Sequence, residues 1–93
     1  MDTRDAYDAI CRALERDEAK RLVSAEFNEL VFGNFVVSFE RAGCPSSVVN
    51  DRGQLFLCDN LNGLGQCAMV VDSIREAGEQ DLLRQIGFVA GAE

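Results

Sequence analysis

Histidine and tryptophan are absent from this 93-residue chain, and Lys20 is its only lysine. Imidazole is the commonest proton-transfer group near neutral pH, because its unperturbed pKa of about 6.5 suits both directions. Without it, Ser–His–Asp and Cys–His arrangements cannot be assembled from this chain alone. The lone lysine sits in Glu18-Ala19-Lys20-Arg21, which has no glycine, so a phosphate-cradling loop of the Walker type is excluded and a Schiff-base role has no support. Long apolar runs are missing too. None exceeds five residues, the length of Cys67 to Val71, whereas a membrane-crossing helix needs about 20. The opening residues carry Asp2, Asp5 and Asp8 and no apolar block, so no secretory signal is expected and the cytoplasm is the expected compartment.

What is present has an ordinary globular balance, with 47% hydrophobic and 27% charged residues, and predicts one compact domain over residues 1–93. Acidic residues outnumber basic ones 16 to 9, giving a net charge of −7. The first 43 residues carry −3 (six basic, nine acidic) and the last 50 carry −4 (three basic, seven acidic). Direct nucleic-acid binding needs clustered Lys and Arg to displace counterions. Here the cations are few and dispersed, so neither nucleic acid nor an anionic membrane is an expected partner. The acids offer carboxylate pairs, but no spacing singles one out. The chain therefore reads as non-enzymatic, with no catalytic residue and no cofactor.

Cys11, Cys44, Cys58 and Cys67 lie 33, 14 and 9 positions apart. Structural zinc sites show close pairs such as C-x₂₋₄-C, so no metal is expected. Reduced, mostly structural thiols fit the expected compartment. Cys11 and Cys67 fall on helical apolar stripes, and Cys44, just before Pro45, is the one placed to meet solvent.

Tyr7, Ile10, Cys11 and Leu14 recur at i, i+3, i+4 and i+7, predicting a first helix that Asp2 or Thr3 can cap. Ala19, Leu22, Val23, Phe27, Leu30 and Val31 form a second helical set on nearly the opposite side, so a break near Asp17 and a second helix ending at Gly33 are expected. Acid-first pairs Asp8–Arg12 and Asp17–Arg21 have the favourable i, i+4 order. A competing reading pairs Phe27–Phe32 with Phe35–Glu40 as a hairpin around Gly33-Asn34. Phe35, Val37 and Phe39 alternate with Val36, Ser38 and Glu40, the period of a strand. Val48-Val49 and Leu55–Cys58 flank Asn50-Asp51-Arg52-Gly53, a hairpin turn sequence. Cys67, Val70, Val71 and Ile74 then repeat the helical spacing up to Gly78, and Leu82, Leu83 and Ile86 mark a short last helix stopped by Gly87. The fold class expected is α+β: N-terminal helices, a small antiparallel sheet of about three strands, and two C-terminal helices packed on it. The apolar tail Phe88-Val89-Ala90 is expected to dock on this core or to join two copies of the chain.

Gly63-Leu64-Gly65-Gln66-Cys67-Ala68 matches G-x-G-x-x-[G/A], but no room remains for a βαβ unit with an acidic ribose ligand, so the glycines read as a lead into a helix. Asn60, Asn62 and Gly63 superficially suggest a calcium loop. Aligning Gly63 to its sixth position puts Cys58 and Met69 where oxygen ligands are required, and the match fails.

Asp72, Glu76 and Glu79 fall at i, i+4 and i+7, a spacing that on a helix gives an acidic row with neighbours about 5–6 Å apart. Such a row can occupy a groove built for a phosphate backbone. With Asp81, Asp59 and Asp51 it forms the candidate partner-binding set. An acidic surface is drawn to basic protein surfaces. The expected function is thus a small protein-binding domain that inhibits a partner by occupying its basic, nucleic-acid-binding surface, as anti-CRISPR, anti-defence and immunity-type proteins do. The alternative is a secretion-chaperone-like or adaptor module that binds a partner segment as a dimer. Steep weakening with salt would mark the first, and tolerance of about 0.5 M salt the second.

Overall fold

In the computed structural model, residues 1–59 and 66–88 are described. Helix α1 (Thr3–Arg16) leads into a sheet of five strands: β1 (Lys20–Asn28), β2 (Asn34–Arg41), β3 (Cys44–Asp51), β4 (Gln54–Asp59) and β5 (Gln66–Val71); a short helix α2 (Glu79–Gln85) follows. The strand order is β1-β2-β3-β4-β5, and every neighbouring pair is antiparallel.

Asp2 caps α1, its carboxylate accepting the Asp5 N–H at 2.8 Å. The helix buries Ala6, Ala9, Ile10, Ala13 and Leu14. Three alanines in that stripe let the helix lie close on the sheet, while Tyr7 and Cys11 sit half-buried at its margin. The break expected near Asp17 is present: this residue ends α1, and its carboxylate accepts the Ala19 N–H at 2.9 Å. The acid-first pairs Asp8–Arg12 and Asp17–Arg21 are replaced by other partners. Arg4 reaches Asp8, Arg12 reaches Glu79 and Arg21 reaches Glu40.

Alternation along the strands gives the sheet two different faces. Phe35, Val37 and Phe39 of β2, Val48 of β3, Leu55 of β4 and Val71 of β5 are buried on the face of the sheet that α1 packs against, and join Ile74, Leu82, Leu83, Ile86 and Phe88 in one core. Phe88 meets Phe39 edge-on at 5.3 Å between ring centroids. Of the expected docking tail, Phe88 is thus in the chain's own core, and Val89-Ala90 lie outside the described residues. Asn50 is the polar exception, 1% exposed. Its amide donates to the Gly33 carbonyl and its side-chain oxygen accepts the Gly53 N–H, both at 3.0 Å, so its burial leaves nothing unsatisfied. The same residue ties the β1–β2 connection to the β3–β4 turn.

Two hairpins are closed by two-residue turns, Ala42-Gly43 and Arg52-Gly53, with positive φ at both positions. That conformation matches the right-handed twist of the strands it joins. The turn expected around Asn50–Gly53 is therefore found where the sequence placed it.

The rest of the architecture departs from expectation. Among the described residues there are five strands where about three were expected, and one N-terminal helix and one short C-terminal helix rather than two of each. Residues 20–28, expected as helix, are β1, and the Gly33-Asn34 hairpin forms around a turn spanning residues 29–33, with its first strand beginning at Lys20. Residues 66–71, also expected as helix, are β5. Both strands contain a bulge, with Val23 unpaired in β1 and Val70 in β5. Each bulge sets an unpaired valine beside an inward apolar residue, Val23 after Leu22 and Val70 before Val71, and these adjacent pairs imitate the i+3, i+4 step of a helix counted from Ala19 and from Cys67. Gly78 accordingly does not end a helix; it is the N-cap of α2. The expectation of four reduced thiols is corrected as well: Cys58 and Cys67 form a disulfide, and Cys11 and Cys44 are free.

Candidate protein-binding face

The face of the sheet opposite α1 carries a row of apolar side chains in register across four strands. Val36 of β2 pairs with Val49 of β3, Val49 with Phe56 of β4, and Phe56 with Met69 of β5. No helix among the described elements packs on this row. Val36 remains 39% exposed and Met69 50%, with Val49 and Phe56 half-buried between them. The next row runs Ser38, Ser47, Cys58, Cys67, so the disulfide lies on the same face beside Phe56 and Met69.

Carboxylates border the apolar row. Glu26 stands opposite Val36 on β1, and Asp51 and Asp72 lie past Val49 and Val71 at the ends of their strands. Asp72 accepts from the Gln54 amide at 3.1 Å, and Asp51 is 3.9 Å from the Arg52 guanidinium. Glu26 has no ion-pair partner among the described residues. Arg21, across the face, is occupied by Glu40 at 2.6 Å. A groove of about 410 Å³ runs from Glu26 over Val36 and Val49 to Asp51, with Val31 from the β1–β2 turn at its side. Asn28, Asn34 and Asn50 also line the groove, and the Val36–Val49 floor with a carboxylate at each end suits a Lys or Arg side chain, whose alkyl stem is apolar and whose head is cationic.

The turn spanning residues 29–33 projects beyond this end of the sheet. Leu30 is 95% exposed and Phe32 70%. Phe32 adopts φ 54°, unusual for a bulky residue, and the Arg52 guanidinium stacks 5.4 Å from its ring centroid.

The acidic set read from the sequence is dispersed by the fold. Asp72, Glu76 and Glu79 do not share a helix: Asp72 follows β5, Glu76 lies in the connection and Glu79 opens α2. Glu79 lies 3.6 Å from Arg12, and Asp81 lies 2.7 Å from Arg84. Asp72 and Glu76 line a second cavity, of about 830 Å³, together with Asp2, Arg52 and Arg75, so its charges are mixed. Asp59 sits at the far end of β4 from the Asp51 turn. Only Asp51 and Asp72 of the six border the apolar row.

Val36, Val49, Phe56, Met69 and Glu26 were missed as candidates. The available signal was continuous apolar character in Phe35-Val36-Val37, Val48-Val49 and Leu55-Phe56-Leu57, which marks strands apolar on both faces. No protein-family model, curated protein or solved structure matches the chain. Among the described residues no helix is long and apolar enough to cross a membrane, and no group of three or more Cys, Asp or Glu side chains is arranged to hold a metal. The glycines of the G-x-G-x-x-[G/A] match and the Asn60–Gly63 segment lie outside the described residues.

Proposed function

We propose that this protein is a small, acidic, non-catalytic binding domain of the cytoplasm that docks on another protein through the face of its sheet opposite α1. The observation that carries this reading is the cross-strand row Val36–Val49–Phe56–Met69, an apolar strip on a domain that has a complete core without it. The partner's chemistry follows from the border: an apolar segment carrying Lys or Arg, drawn in by the net charge of −7 and seated with a cation between Glu26 and Asp51. Two copies of this chain would bring like-charged borders together, so a different protein is the favoured occupant. An adaptor is favoured over a phosphate mimic, and the dispersal of the acids suited to mimicry supports that preference. An inhibitor acting at a basic site remains compatible where that site is also apolar.

Photocross-linking tests the face. A benzoylphenylalanine at position 49 is expected to capture a partner in cells that make the protein, while one at Glu15, on the exposed side of α1, captures none. The capture should weaken with salt but persist at about 0.5 M, because the apolar contact is not screened. Equal capture from both positions, or from neither, removes the reading.

A further inference from the structure

We propose that the Cys58–Cys67 disulfide is a reversible clasp whose reduction releases the edge strand β5 and dismantles the docking face; the consequence for binding rests on the reading of that face given above. The two half-cystines stand directly opposite each other on β4 and β5, with Cα atoms 4.0 Å apart. They lie one row from Phe56 and Met69, so whatever holds Cys67 to Cys58 also holds Met69 in line.

Among the described residues, this end of the strand has few buried contacts. Gln66, Cys67, Ala68 and Met69 are all exposed, and burial begins only at Val70 and Val71. Of the two helices described, α1 packs on β1, β2 and α2, and α2 touches β5, whose buried residue is Val71 at the opposite end from Gln66. The ladder to β4 and the disulfide tie 66–69 to the sheet. Strand edges with few buried contacts open at low cost, and the disulfide, joining residues nine positions apart, limits how far this one can depart.

The co-reactant is a dithiol reductant. Its thiolate attacks the sulfur of the exposed Cys67, the S–S bond breaks, and Cys58 leaves as a thiolate that takes up a proton. The reductant's second thiol then displaces Cys67, which is likewise protonated. The protein has gained two electrons and two protons, and the reductant has lost them by becoming a disulfide. Oxidised glutathione reverses the exchange. Once open, 66–69 separate from β4, Met69 leaves the apolar row, and the backbone of β4 becomes a free edge.

Hydrogen exchange on the full chain, oxidised and after dithiothreitol without denaturant, tests the clasp, with thiols counted by alkylation and mass. Two thiols should appear beyond Cys11 and Cys44. Exchange across 66–69 should rise about a hundredfold, the factor that closing a loop of this length is worth, while β2 stays protected. Oxidised glutathione should restore the slow rates, and Cys67→Ser should exchange as the reduced chain does. Thiols released only in denaturant, or unchanged exchange across 66–69 in both reduced and Cys67→Ser chains, would overturn the proposal. Neither readout needs a partner. Equal photocapture from position 49 in both redox states would overturn the control of binding, whereas no capture in either state would instead overturn the docking face.

Discussion

The Lys20 ammonium lies 2.8 Å from the Asp17 carboxylate, and both side chains are shielded, with 8% and 16% of their surface accessible. The ammonium also sits 5.3 Å from the centroid of the Phe88 ring. The only lysine of the chain is therefore a structural strut where α1 turns into β1. The hydrogen bond from Lys20, and next that from the Ala19 N–H, hold the Asp17 carboxyl below its usual range. A folded-state pKa below the unfolded one contributes stability that is present above about pH 4 and lost as pH falls through the folded value. Thermal melts should show Asp17→Asn below the parent at pH 7, with the gap closing by about pH 2. Amine acylation should reach Lys20 at least about tenfold more slowly than a free lysine side chain, as read by peptide mass spectrometry.

Val36 and Val37 are neighbours on opposite faces, so the same truncation should separate them. Val37→Ala opens a void in the core and is expected to cost about 2 kcal/mol. Val36→Ala should stay within about 0.5 kcal/mol in urea unfolding, yet weaken any partner held by the outer face.

Gly33 has φ 64°, and a Cβ there would run into the Thr3 side chain. Gly33→Ala should destabilise the fold by more than about 1 kcal/mol, from the left-handed backbone and the contact together. Adding Thr3→Ala should return the contact part only, and comparing the two unfolding midpoints separates them.

Ala42 holds φ 53° in the β2–β3 turn, a conformation its Cβ disfavours and asparagine tolerates. Ala42→Asn should raise the stability by up to about 1 kcal/mol, measured as a higher melting temperature with unchanged far-ultraviolet circular dichroism.

Burial, and next the Asp8 carboxylate, push the Cys11 thiol above its ordinary value. With the folded pKa above the unfolded one, this contribution is intact below about pH 9 and declines as pH rises through the folded value. Cys11→Ala should flatten that alkaline decline in denaturant midpoints taken from pH 8 to 11.

The hairpin of β3 and β4 was legible because two short apolar runs, Val48-Val49 and Leu55–Cys58, flank Asn50-Asp51-Arg52-Gly53, which carries turn chemistry. Helix α1 was legible from one apolar stripe and its cap. Strands β1 and β5 were not, because an unpaired Val23 and an unpaired Val70 break the two-residue period locally. A window of that length cannot separate a bulged strand from a helix, and only pairing with β2 and β4 decides. The acidic row failed for the same reason, since it presupposed a helix running through Asp72. The apolar face went unnoticed because Val36, Val49 and Phe56 each sit between core residues and were absorbed into the core by composition alone.

Every strand of the described sheet adjoins its neighbours in the chain, and α1 packs on the hairpin that follows it. Structure can therefore spread outward from one early helix–hairpin unit, with few long closures to wait for. Residues 1–41 already contain that unit, so assembly can begin on the ribosome while the remaining three strands are still being synthesised.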